Sequence, residues 1–245
     1  MSDFSSVSDA YVLALKNNNR KIDVISKKQE ILDSIANLHN LTPTSILFVG
    51  FSSFIFANLN ADITVTDISP SAQEYIKAEK VKFTYVDRAD LANYHKKFQV
   101  VVAVDEFFTY ADSDQNQKDI VEEICNLATD YVITTLRDYK NQDYKDREFS
   151  QPSLVRADDT SLVFLESHIW HPMDRAQWDT VIYAINQSAN SLTTFGKFER
   201  RTMYFKQLAN FTSVAGATGF LVHKNLMYKG LVKKNYEHVI TIQFN

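Results

Sequence analysis

Short apolar runs alternate with amphipathic stretches along most of the chain. Ile31, Ile35 and Leu38 recur at i, i+4 and i+7 among Lys27, Lys28, Glu30 and Asp33, which predicts an amphipathic helix over 21–39. Thr42-Pro43-Thr44 ends that period. Ser45 to Gly50 is a continuous apolar run of the kind that forms a strand buried on both faces. A short helix is predicted over 54–59, followed by a β-branched strand from Ile63 that ends on an acid, Asp67. Ser69-Pro70 supplies an N-cap with proline at the first helical position, and Ser71 with Glu74 has capping-box spacing, so a helix is expected to run to Lys80.

Val81 to Val86 alternates as a third strand and ends at Asp87, while Phe98 to Val104 is almost purely apolar and closes on Asp105-Glu106. The second of these has the pattern of a central strand. Ile120, Val121, Ile124, Leu127 and Ala128 mark one face of a helix, and Tyr131 to Leu136 a fifth strand. Tyr139 to Ser150 has no period and reads as a loop. Beyond it the pattern predicts strands over Ser161–Ile169 and Trp178–Ile185, then a helix from Phe198 to Phe211. A closing antiparallel pair is predicted over Phe220–Tyr228 and His238–Phe244.

Strand and helix alternating through Leu136 specify right-handed parallel crossovers. The expected fold is therefore α/β: a doubly wound, mostly parallel sheet with strands inserted after the fifth and an antiparallel strand near the C-terminus. Ligands of such sheets bind at the carboxyl ends of the strands, where strand order reverses. Asp67, Asp87 and Asp105 all end predicted strands on that edge, which points to a ligand crevice rather than to ordinary polar strand exits.

With 245 residues, 45% hydrophobic and 13% aromatic, the chain is long enough for one large core, and one domain is expected. A net charge of -4 produces no field that would draw nucleic acid, which is not the default partner. The single cysteine, Cys125, excludes an intrachain disulfide and cysteine-based zinc sites, and suits a reducing, cytoplasmic compartment. The polar, acidic stretch Met1 to Ala10 has no targeting pattern, and no long uncharged apolar run predicts a membrane span. Five glycines in the whole chain make phosphate-cradling loops scarce.

Residues 46–136 resemble the cofactor half of a class I S-adenosylmethionine-dependent methyltransferase. Gly50-Phe51-Ser52-Ser53-Phe54 stands where that family carries G-x-G-x-G, Asp67 where it places an acid for the ribose hydroxyls, and Asp87 where an acid or amide lies near adenine. The resemblance implies S-adenosylmethionine as cofactor, approached by Gly50, Phe51 and Ser52 and bordered by Asp67, Ile68, Asp87 and Arg88. It implies that Asp105 and Glu106 line the methionine end and the substrate. The parts follow as an N-terminal helical segment (1–45), a cofactor half (46–142), inserted strands over the acceptor (143–197) and a closing helix with antiparallel strands (198–245). The chain departs from the family at the loop, where only Gly50 survives, and at Phe48, where an acid often precedes it. Lost glycines restrict positive φ and close backbone approach, so a bulky Phe54 either fills cofactor space or turns into the core.

Methyl transfer from a sulfonium needs an in-line nucleophile and, where that is protonated, a base within hydrogen-bond reach. Tyr110 falls at a substrate-facing place in this plan, and equally fits a rim aromatic packed on the next helix. His168 and His171 flank Trp170 in the inserted segment and are candidate bases, with a structural histidine as the plainer reading. The same pair beside Glu166 and Asp174 does not make a metal site on an extended strand, where only alternate residues share a face. Lys224, Lys229, Lys233 and Lys234 with Tyr228 and Tyr236 form a basic-aromatic patch, and Arg200-Arg201 is expected to open the last helix. The expected function is methyl transfer to a small or medium polar acceptor. The alternative is a methyltransferase-like domain that has lost the cofactor and serves in binding or assembly. A nicotinamide-dependent dehydrogenase shares the second-strand acid but not the later loop glycines.

Overall fold

Ile46 and Phe48 bury on one side of a strand while Leu47 and Val49 bury on the other, so β1 (Ser45–Val49) must lie between two covering layers. The computed structural model describes residues 8, 9, 12, 37, 42–50, 60–78, 82–137, 147–149, 153–157, 160–171, 176–186, 190–223 and 237–245. Within them β1 is followed by β2 (Asp62–Thr66), helix α1 (Pro70–Ala78), β3 (Thr84–Tyr85), a 3-10 helix (Arg88–Tyr94) and β4 (Phe98–Ala103). A 3-10 turn (Phe107–Thr109), helix α2 (Asp114–Leu127) and β5 (Ala128–Arg137) complete the parallel unit. The predicted helices over 21–39 and 54–59 lie outside the described residues.

Local chemistry explains the helix ends. The Ser69 hydroxyl accepts from the Ala72 amide at 3.0 Å, with Pro70 at the first helical position, as the sequence predicts. Ser71 and Glu74 lie inside the helix, so the cap is Ser69, two residues before the start of their capping-box spacing. Ser113 caps α2 through the Asn116 amide at 3.2 Å. At the other end of α2 the Lys96 ammonium donates to the carbonyls of Cys125 and Ala128, a cation at the negative end of the helix dipole.

A seven-stranded sheet runs in the order β11-β12-β5-β4-β1-β2-β3, where β11 is Gly219–His223 and β12 is Glu237–Gln243. β1 to β5 are parallel, and β12 is antiparallel to both β5 and β11. Strand order reverses between β4 and β1, which sets the crevice at their carboxyl ends. One core layer joins Leu47, Val101 and Val132 to Ile120 and Ile124 of α2, and the other joins Phe48, Val65 and Val102 to Ala72 and Ile76 of α1. Phe48 is thus a core residue, which accounts for an aromatic where a crevice acid was expected.

Between β5 and helix α3 (Phe205–Val214) the chain builds a second, antiparallel sheet. Its order is β10-β9-β8-β6, with β7 also paired to β8, for β6 (Arg147–Phe149), β7 (Ser153–Ala157), β8 (Thr160–Trp170), β9 (Gln177–Asn186) and β10 (Ser191–Arg201). Three expectations are corrected. The loop predicted over Tyr139 to Ser150 contains β6. The helix predicted from Phe198 begins at Phe205, because Phe198 to Arg201 pair with Thr180 to Gln177 as the end of β10. The third strand, expected over Val81 to Val86, is reduced to Thr84–Tyr85 on an exposed edge.

Candidate active site

Four residues just past the ends of β1, β2 and β4 have left-handed backbone: Gly50 at φ 81, Asp67 at φ 58, Asp105 at φ 59 and Glu106 at φ 56. A non-glycine residue held there costs about 1–3 kcal/mol and persists only where its surroundings over-determine it. The strain is therefore concentrated on the carboxyl edge at the topological switch point. The Gly50 amide donates to the Thr66 carbonyl at 3.0 Å, which ties the turn after β1 to the exit of β2 and brings Gly50 beside Asp67. The Ser8 hydroxyl donates to the Asp67 carbonyl at 3.0 Å.

Asp67 is 5% exposed, and its Oδ2 lies 2.5 Å from Nη1 of Arg88. The other Arg88 nitrogen, Nη2, is 3.0 Å from Oε2 of Glu123 on α2, and the guanidinium lies over the Phe107 ring, 5.4 Å from its centroid. Burial acts to lower the Arg88 pKa, but Asp67 and Glu123 outweigh it and hold the group above its ordinary value. Asp87, one residue earlier, is exposed and accepts from the Tyr85 hydroxyl at 3.4 Å. Ile68 is buried in the core layer with Ala72 and Ile76, away from the open edge.

Glu106 is held from two directions. Its Oε1 lies 2.6 Å from Nε of Arg137 at the end of β5, and its Oε2 lies 2.9 Å from Nη2 of Arg200 at the end of β10. Arg200 also donates to the Thr109 hydroxyl through Nε and Nη2, and that hydroxyl donates to the Glu106 carbonyl. The guanidinium lies over the rings of Tyr110 at 4.2 Å and Trp178 at 5.2 Å. The Gln117 side-chain amide adds bonds to the carbonyls of Phe108, Arg201 and Thr202. Together these contacts seat the second sheet on the carboxyl edge of the first.

The inner face of the second sheet follows from its register. Trp170 pairs with Trp178 and Trp178 with Arg200, while His168 pairs with Thr180 and Thr180 with Phe198. Trp170, Trp178 and Phe198 belong to the core layer of the main sheet, so His168 lies on the crevice side. His171 has the opposite parity and lies 3.4 Å from Asp179, which also meets Lys197. Tyr110 packs edge-on against Phe198, with ring centroids 6.2 Å apart. The structure thus gathers Gly50, Asp67, Arg88, Asp105, Glu106 and Tyr110 along one edge, puts His168 on the inward face of the second sheet, and leaves His171 on the outer face. Arg137, Thr109 and Glu123 are additions that sequence patterns missed, whereas Arg200, singled out in the sequence, is placed against Glu106 and Thr109. Phe51, Ser52, Phe54, Asp174 and the patch from Lys224 to Tyr236 lie outside the described residues. Arg200 and Arg201 end a strand instead of opening a helix, and Arg201 pairs with Asp114. No group of metal-binding side chains occurs among the described residues, nor is any described helix long and apolar enough to cross a membrane.

These residues fit a nucleoside-bearing cofactor in two respects. The Gly50 turn lets backbone approach a ligand, and a buried carboxylate stands beside it at the next strand end. No protein-family profile matches the sequence, and no curated protein matches it. Solved structures do match over most of the chain. Streptomyces venezuelae DesVI is 12% identical, with 96% of this chain and 97% of that chain covered and a TM-score of 0.68. An S-adenosylmethionine-dependent methyltransferase from Clostridium acetobutylicum is 11% identical, with coverage of 93% and 96% and a TM-score of 0.66. The sugar N-methyltransferase KedS8 from a Streptoalloteichus species is 11% identical, with coverage of 93% and 91% and a TM-score of 0.65. At such identities the likeness is one of architecture: the chain has the fold of the class I S-adenosylmethionine-dependent methyltransferases.

Proposed function

We propose that the protein transfers a methyl group from S-adenosylmethionine to a small or medium polar acceptor. The observation that carries this reading is the row of left-handed residues, Gly50, Asp67, Asp105 and Glu106, past three adjacent strands of a sheet with this topology. The cofactor supplies a methyl group on a sulfonium, open to in-line attack. Gly50, with Phe51 and Ser52 after it, lets the backbone approach, Asp67 accepts from the ribose hydroxyls, and Asp87 borders the base, while Ile68 stays in the core layer behind them. Asp105 and Glu106 face the methionine end. Tyr110 walls the acceptor space, and the paired rings of Trp170 and Trp178, 4.7 Å apart, help exclude water. Of the two histidines, His168 has the position to take a proton from the acceptor, while His171 points away from the crevice.

KedS8, a sugar N-methyltransferase, and CalS10, an amino pentose methyltransferase from Micromonospora echinaspora, favour a polar small molecule as acceptor over a nucleic acid. A buried free thiol at Cys125 suits cytoplasmic residence, and the whole of 1–245 is read as one working unit. Calorimetric titration with S-adenosylmethionine and S-adenosylhomocysteine tests the reading. Micromolar binding that is lost in Asp67→Asn is expected, and absence of binding at millimolar concentration by both the unmodified protein and Arg88→Ala overturns it.

One observation favours a second reading, a catalytically inactive domain acting in binding or assembly. Asp67 and Glu106, two carboxylates of the crevice, are already ion-paired to arginines of the same chain. That reading predicts no cofactor binding even when the arginine at Asp67 is removed.

A further inference from the structure

We infer that Arg88 occupies the nucleoside end of the crevice as an internal ligand of Asp67, and that a cofactor enters only when Arg88 lets go. The inference rests on the cofactor reading above and concerns how that site is regulated. β2 and β4 flank β1 in the sheet, and two neighbouring strand spacings amount to roughly 10 Å. Arg88 touches Asp67 beyond β2 at 2.5 Å, and its guanidinium carbon lies 5.4 Å from the Phe107 ring beyond β4. Its guanidinium therefore bridges the gap above the exit of β1, beside the Gly50 turn, where backbone would approach a ligand. The third contact, Nη2 to Glu123 on α2, anchors the side chain from below and holds it across the opening.

The pair competes with a ligand for one oxygen of Asp67 and for the space beside Phe107. A carboxylate oxygen directed at Arg88 is not available in that geometry to a ribose hydroxyl, and planar guanidinium over an aromatic ring occupies the space that a planar base would need. Binding therefore requires a second rotamer of Arg88, and apparent affinity is lowered by the fraction of molecules in which it has swung away. Arg88 comes from the segment after the edge strand β3, which is only two residues long, so its movement need not disturb the central strands. Glu123 is the residue that tunes this population, because it grips Arg88 without facing Asp67.

Titration of S-adenosylmethionine into the full-length protein, Arg88→Ala and Glu123→Gln, with melting temperature followed in parallel, tests the inference. The expected result is that Arg88→Ala melts lower when empty but binds about tenfold or more tightly than the unmodified protein. Glu123→Gln, which leaves the Asp67 pair formed, is expected to show a smaller gain in the same direction. Binding by the variants alone supports the inference in its strongest form. Equal or weaker binding by folded Arg88→Ala, with the unmodified protein still binding, overturns the inference and leaves the cofactor reading standing. If Arg88→Ala does not fold, unchanged or weaker binding by Glu123→Gln overturns it in the same way. Absence of binding by all three proteins overturns both.

Discussion

Nη2 of Arg200 lies 2.9 Å from Oε2 of Glu106, and each of the two side chains keeps only 4% of its surface exposed. They are separated by 94 residues in sequence and join the end of β10 to the exit of β4. Glu106 is bound on its other oxygen by Arg137. Two cations on one buried anion make the carboxylate the member whose loss is least tolerable. Glu106→Ala is expected to destabilise the fold by about 3–5 kcal/mol, since it leaves Arg200 buried without its counter-charge. The double variant Glu106→Leu with Arg200→Met is expected to cost clearly less. Urea denaturation of the three proteins measures both, and an equal loss in the single and double variants would contradict a charge-based explanation.

Gly50 has φ 81 at the turn that passes from β1 to the candidate cofactor loop. Adding a Cβ at such an angle costs about 1–2 kcal/mol in backbone strain. Gly50→Ala is therefore expected to lose about that much stability and, by moving the turn, to weaken S-adenosylmethionine binding as well. Denaturation midpoints and titration of the same preparation separate the two effects. A variant that keeps full stability and affinity would show that the turn is not constrained by close approach.

The parallel core was legible because its signals are local. Val100, Val101 and Val102 announce a doubly covered strand, Ser69-Pro70 announces a helix start, and the acids at 67 and 105 stand where such strands end. β10 was missed because its inward positions are not uniformly apolar. Phe198 alternates with Arg200, and an arginine can face inward only because Glu106 and Thr109 receive it from another part of the chain. The Asp67–Arg88 pair was hidden for the same reason. Both residues could be assigned to one crevice from their strand-end positions, but nothing in a one-dimensional pattern says that one carboxylate is already held by the other residue's guanidinium.

His168 and His171 lie on opposite faces of the second sheet, and only His168 shares a side with Trp178, Phe198 and Arg200. His168→Ala is expected to lower kcat by roughly 10²-fold or more if it is the general base, with little change in KM. His171→Ala, which disturbs only an outer contact with Asp179, is expected to leave both within about twofold of the unmodified protein. Steady-state kinetics with any accepted substrate reads the difference. Similar kcat values in the two variants would remove His168 as the base.

His223 ends β11 and shares a hydrogen bond of 2.9 Å between its Nε2 and the Thr241 hydroxyl on β12. Burial lowers its pKa below the ordinary 6.5, because the charged imidazolium is less well solvated there than in water. The unfolded chain therefore binds this proton more readily than the folded one as pH falls through 6.5. Stability rises with pH wherever the unfolded state carries more protons. The contribution of His223 is thus full above its unfolded value, declines as pH falls toward the folded value, and reaches its limit below that. His223→Gln removes this component while keeping a polar side chain for Thr241. The difference in melting temperature between the variant and the parent is expected to shift in favour of the variant between pH 7 and the folded pKa, and then to level off. Parallel melting curves across that window would mean that burial of the ring places no cost on its protonation.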